Sequence, residues 1–266
     1  AADASRENES RGISFITPKW VEQDDFPVPP LAGFSTSMFF PLDCSHGGTT
    51  SFCAHLREEF KPELLLFLRR LRVIEFADDS GAIRLSRRAS GSEDSVTVAI
   101  EQREFGTELT RLQEATFVVW RKELNVPSTI AARWFEGRIE EHTELAFAFC
   151  QDENRTLVEA SESHVCSFLP VCESGLKFLV HGDFALSASR DEIMEDSEWN
   201  VWLCAQAAEM FRAAALDEYG HHFSRSWPLF VPLEAEIRPR GLRHFGDCLR
   251  HLLRGCSCVP VDPAGS

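Results

Sequence analysis

The stretch Lys177-Phe178-Leu179-Val180-His181-Gly182-Asp183-Phe184-Ala185-Leu186-Ser187-Ala188-Ser189-Arg190-Asp191 changes character halfway along. The first half is a near-continuous apolar run, which suits a buried strand. The second half is small and polar, and carries one Arg between hydroxyls and a carboxylate, which reads as a loop. A few residues on, Ser197 precedes Trp199, Leu203, Ala207, Met210 and Ala214 at helical spacing. That pattern predicts a helix over 197–216 with Ser197 as its N-cap. Strand, loop and helix form the unit around which the rest of the chain is read.

Upstream, strand signals dominate. Residues 72–76 and 116–120 are apolar and β-branched, and Val96, Val98 and Ile100 alternate with Thr97 and Ala99. Leu145, Phe147 and Phe149 alternate with small residues, which predicts one buried face. Residues 165–169 read as one further strand. Gly81, Gly91, Gly106 and Gly137 fall between or beside these runs as turn signals. Ahead of them, Phe52, Leu56, Phe60, Leu64, Phe67 and Leu71 predict a helix over 51–71. Pro62 should break it near Phe60 and restart it as a first-turn proline. Thr36 leads a short apolar run to Leu42 that suits a strand, after the stiff Pro27-Val28-Pro29-Pro30. A last helix is expected from about Gly241 to Arg254. The order predicts an α+β fold, a mixed or antiparallel sheet with helices packed on it.

Composition narrows the classes. The formal net charge of −15 opposes a phosphate backbone, so nucleic acid is not an expected partner. No apolar run reaches the length of a membrane span, and residues 1–10 lack the features of a signal peptide. The first residues read as a cut or a disordered lead-in and residues 262–266 as a cut through a loop, so a piece of a longer protein is expected. The nine cysteines are odd in number and irregular in spacing, and several lie in apolar runs. They read as free thiols in an intracellular setting, cytoplasmic or nuclear.

Few residues carry a chemical signal. Arg190 reads either as a surface cation paired with Asp191 or Glu192, or as a guanidinium aimed at an anion. Asp183 ends the apolar strand and suits a turn-capping or loop-orienting role through backbone N–H groups. Ser187 and Ser189 can bond the loop backbone. Cys256 and Cys258 with His251 lack zinc-site spacing, so no metal site is expected. His221 and His222 suit a helix C-terminus. Trp199, Trp202, Leu203 and Met210 read as core, with a docking patch as the other reading.

Three stretches resemble the sacsin and NO VEIN-like family of GHKL-type ATPases. Gly12-Ile13-Ser14-Phe15-Ile16-Thr17-Pro18-Lys19-Trp20-Val21 is similar to a segment near the end of that family's ATPase domain. Lys61-Pro62-Glu63-Leu64-Leu65-Leu66-Phe67-Leu68 is similar to its Pro-Glu-Leu/Val-Leu-Leu-Phe-Leu helix. Ser167-Phe168-Leu169-Pro170-Val171, the run from Gly175 to Phe184, Ser189-Arg190-Asp191-Glu192 and Trp199-Asn200 resemble its Phe-Leu-Pro, Gly-Asp-Phe and Ser-Ser-Arg-Glu series. More weakly, residues 183–191 follow the middle-domain loop of the ninety-kilodalton heat-shock chaperones.

That resemblance implies a division of the chain. Residues 1–45 would be the tail of an ATPase domain, 46–223 a ribosomal-protein-S-five-like transducer domain, and 224–266 the start of a helical segment. It implies that Arg190 contacts the γ-phosphate in trans to the ATPase domain, with Asp183 and Ser189 orienting the loop. Thr36 would lie near the nucleotide, although Ser35 replaces the family's Gly. ATP and Mg would be held by the upstream domain, since the Asn helix, the Asp-Xaa-Gly-Xaa-Gly loop and the Gly-rich lid do not occur in this sequence. The implied partners are that upstream domain and protein clients. The alternative is a non-enzymatic scaffold that kept the fold without turnover. A cysteine hydrolase is a third class with little support.

Overall fold

A computed structural model describes residues 48–78, 81–90, 95–104, 107–130, 141–160, 162–216, 223 and 226–255. The chain divides into two compact units, 1–49 and 50–266, and all but two of the described residues lie in the second. The segment 12–21, the strand expected over 36–42, Thr36, His221, His222, Cys256 and Cys258 lie outside the described residues, as do Gly91, Gly106 and Gly137.

Helix α1 (Gly48–Glu58) and the short α2 (Glu63–Leu66) are separated at the expected break, with Pro62 capping α2. The second helix stops far short of Leu71. Arg87 Nη1 donates to the carbonyls of Leu65 at 2.9 Å and Leu66 at 3.0 Å, so the last turn has its acceptors satisfied by a cation from the sheet. Burial holds the pKa of Arg87 below its ordinary value, with Arg72 and Arg121 adding repulsion.

The sheet contains β1 (Val73–Asp78), β2 (Gly81–Ala89), β3 (Ser95–Glu104), β4 (Thr110–Asn125), β5 (His142–Gln151), β6 (Leu157–Val158), β7 (His164–Ser167), β8 (Leu169–Glu173) and β9 (Leu179–Gly182). Its order is β1-β2-β3-β4-β5-β9-β7-β8, with β6 paired to β5. Every pairing is antiparallel except that of β7 with β9, so the sheet is mixed and the fold is α+β. The single strand read over 165–169 is a tight hairpin instead. Phe168 takes φ 65° between paired Ser167 and Leu169, a left-handed turn that apolar patterning does not reveal.

Helix α3 (Glu198–Ala215) starts where Ser197 Oγ accepts from Asn200 N at 3.4 Å. Its stripe is core: Trp199, Leu203 and Met210 are buried, and Trp202 packs partly buried against them. Short α4 (Trp227–Phe230), a 3₁₀ turn (Arg240–Leu242) and α5 (Arg243–Arg254) follow. Phe147, Phe149, Phe178, Phe211, Phe223, Phe230 and Phe245 form one aromatic cluster between the sheet and these helices. That cluster takes up a third of the chain's 21 phenylalanines.

The alternation along β5 predicts one buried face, but both faces are buried. Phe147 and Phe149 enter the aromatic cluster, while Ala146 and Ala148, also 0% exposed, share a second cluster with Leu66, Phe67, Phe117 and Val119. Small side chains on that face leave room for the α2 segment to sit close, with Phe67 filling the gap. At the far end, Arg57 holds Asp78 through two hydrogen bonds of 3.0 and 2.6 Å, tying α1 to the β1–β2 edge.

Substituting Ala148→Leu is expected to cost about 1–3 kcal/mol in urea unfolding although it adds apolar surface, because the site is already filled. A sheet with one covered face would accept that change with little loss.

Candidate functional site

Strand β9 delivers the chain to the loop that carries Arg190. At its end Gly182 has no room for a side chain, since a Cβ there would lie 2.8 Å from Leu145 Cδ2. Asp183 is then fixed twice. Its carboxylate Oδ2 accepts from Thr143 Oγ1 of β5 at 2.6 Å, and its carbonyl accepts from Trp199 Nε1 of α3 at 2.6 Å. Asp183 thus docks the start of the loop onto strand and helix through a side-chain hydroxyl and an indole.

The loop itself is a closed structure with a neck and a tip. Leu186 bridges Ile193, Met194 N donates to Ala185 O at 3.0 Å, and Ser187 N donates to Glu192 O at 2.9 Å. Asn200, buried in the first turn of α3, clamps the neck. Its Oδ1 accepts from Ala185 N at 2.8 Å, and its Nδ2 donates to Ala185 O at 2.9 Å and Met194 O at 2.8 Å. On the far side Gly241 packs against the descending arm, where a Cβ would meet Ile193 Cγ2 at 2.9 Å and Ile193 O at 3.0 Å.

At the tip, Arg190 N donates to Ser187 O at 2.9 Å, closing a turn. Arg190 sits at φ 62°, a conformation that costs a non-glycine residue about 1–2 kcal/mol. Asp191 accepts from Ser187 Oγ at 2.8 Å and from Ser189 Oγ. Those hydroxyls, Ser189 foremost, hold the Asp191 carboxyl below its usual pKa. The anion beside Arg190 is therefore engaged by hydroxyls. Arg190 is exposed, and among the described residues it forms no ion pair, so the pairing with Asp191 or Glu192 is not made.

Arg190, Asp183 and Ser189, the residues expected to act together, lie in one loop assembly with Thr143, Trp199 and Asn200. Thr143 and Asn200 carry no role in that expectation. Nothing local marks Thr143, because its partner lies 40 residues away. For Asn200 one signal existed: an amide on the otherwise apolar face of a helix, directly after Trp199.

Beside the loop runs a groove of about 580 Å³, walled by Cys172 and Glu173 of β8, Glu192, Glu195, Arg238 and Arg240 among others. Its arginines pair with acids, Arg238 with Glu173 and Arg240 with Glu195 at 3.9 Å, and Arg190 is not part of its walls. Among the described residues no three His, Cys, Asp or Glu side chains gather as metal ligands. The six described cysteines are free, and burial pushes the Cys150 thiol up to about 11 and the Cys204 thiol up to about 12, far from reactive thiolates. No helix in the described residues is long and apolar enough to cross a membrane.

No protein-family model matches the chain. No solved structure matches it. Among curated proteins it is similar to Protein NO VEIN of Arabidopsis thaliana, at 28% identity over an alignment of 222 residues that covers 77% of this chain. The chain spans 7% of the length of that plant protein. A NO VEIN-like relation over most of the chain is thereby supported.

One buried base underlies the loop. His181, in β9, stacks on Phe67 with ring centroids 4.7 Å apart. Its Nδ1 lies 3.3 Å from both Phe168 N and Cys166 O, so either tautomer keeps a partner. Its Nε2 is 4.0 Å from Glu144 Oε1, which already accepts from Arg121 at 2.7 Å. Burial pushes its pKa below 6.5, and Glu144 and Asp183 only partly oppose this. The unfolded chain therefore takes up the proton first as pH falls. Stability is full above about 6.5 and declines as pH drops from there through the depressed folded value. Compared with wild type, His181→Gln should show a flatter loss of stability between about pH 7 and pH 5 in urea titrations. Parallel curves would contradict this assignment.

Proposed function

We propose that this chain is the transducer-like middle part of a NO VEIN-like, ATP-dependent protein, in which Arg190 is offered to the γ-phosphate of ATP held by an upstream domain. The observation that carries this reading is the presentation of Arg190. A guanidinium stands exposed and unpaired among the described residues, on a loop tied to two packed elements, with its neighbouring carboxylate occupied by serine hydroxyls.

Phosphoryl transfer gathers charge on phosphate oxygens, and a fixed guanidinium stabilises that charge through forked, charge-assisted hydrogen bonds. A donor set in advance needs no reorganisation when the charge develops. The left-handed backbone at Arg190 is the kind of local strain that persists where the surroundings over-determine it. ATP, bound with Mg in the upstream domain, would supply the phosphoryl group. The contribution of this chain is to hold one cation at the tip and to tie its position to α3. Supplying that cation from a second domain makes turnover depend on domain closure, the logic of an arginine finger. Residues 1–45 are proposed as the tail of the ATPase domain, and the sheet as the transducer layer. Proteins are proposed as clients of the whole assembly.

In the full-length protein, Arg190→Ala is expected to lower ATP turnover roughly a hundredfold while leaving the KM for ATP within about twofold. Steady-state turnover at varied ATP measures both quantities. Turnover equal to wild type would remove the basis of this reading.

A further inference from the structure

We infer that Asn200 is the positioning residue for Arg190, joining the loop to helix α3 as one rigid body; this rests on the γ-phosphate reading above. Asn200 is 0% exposed. What it supplies is a matched set of donors and one acceptor. Ala185 presents both its N–H and its C=O to Asn200, and Met194 presents its C=O. One carbonyl oxygen and one NH₂ group meet all three needs, and of the short side chains only an amide carries both. A carboxylate would face two carbonyl oxygens, and an apolar group would leave the Ala185 N–H and the Met194 C=O without these partners, since Ala185 O is also bonded by Met194 N.

The two backbone segments it joins are the opposite arms of the loop neck. Holding both fixes their separation and therefore the height and direction of the tip at residues 187–192. The same residue sits in the first turn of α3, whose entry is capped by Ser197 and whose Trp199 holds Asp183 O. A force on Arg190 is thus delivered to the N-terminus of α3. From there it reaches α5, because Cys204 and Leu203 of α3 share one core with Phe245 and Leu249 of α5.

The test is a double-mutant cycle on ATP turnover by the full-length protein, with kcat expressed per folded molecule. Asn200→Ala alone should lower kcat about tenfold to a hundredfold, with the KM for ATP little changed, since a misplacement near 1 Å suffices for such a loss. In the Arg190→Ala background the same change should lower kcat no further, because Asn200 acts only through Arg190. If Asn200→Ala does not fold, Asn200→Ser, whose hydroxyl can still reach one arm, goes through the same cycle. Equal losses in both backgrounds, or no loss in the wild-type background, overturn the Asn200 inference alone. Wild-type turnover by Arg190→Ala overturns the γ-phosphate reading and this inference together.

Discussion

Burial of β5 on both faces is the constraint on which the rest of the structure depends. Phe147 and Phe149 fill the layer under α3 and α5, while Ala146 and Ala148 admit Phe67 and Leu66 on the other side. A strand covered twice cannot slip by one residue without sending phenylalanines into space sized for alanine. Its register with β9, where Leu145 faces Gly182, is pinned in consequence. The point at which the chain leaves the sheet for the Arg190 loop is therefore set by core packing, well away from the loop itself.

From that point each successive contact is polar and specific. Thr143 holds the carboxylate of Asp183, Trp199 holds its carbonyl, Asn200 closes the neck, and two serines occupy Asp191. The contacts of Asn200 with Ala185 are buried, and buried polar groups stabilise only when every member is satisfied and then favour a single geometry. Here the product is an exposed guanidinium in a left-handed backbone, held without an acidic partner among the described residues. Such an arrangement suits an anion that arrives from outside the chain better than a surface ion pair.

Much of this was legible in the residues. Period-two alternation placed β3 and β5, helical spacing placed α3, and Pro62 placed the break before α2. The motif at 182–191 nominated Arg190, Asp183 and Ser189 as one group. What escaped has physical causes. The β7–β8 hairpin turns on a single left-handed Phe168, and no residue type announces it. The second covered face of β5 depends on where α2 lands, and alanine reads the same whether it meets solvent or a ring. The early end of α2 depends on Arg87, a partner more than 20 residues away. Thr143 acts through a contact 40 residues away, so neither spacing nor composition reveals it, while Asn200 shows in the sequence only as an amide on an apolar helix face.

The central claim is that the Arg190 loop is built in advance by its contacts with β5 and α3. Amide hydrogen exchange of the full-length protein without nucleotide tests this most directly. The N–H groups of Ala185, Ser187, Arg190 and Met194 are each bonded within the assembly, so all four should exchange well below the free-chain rate, Ala185 and Met194 as slowly as neighbouring core amides. Exchange of these amides at the free-chain rate, with protection appearing only when ATP is added, would contradict it.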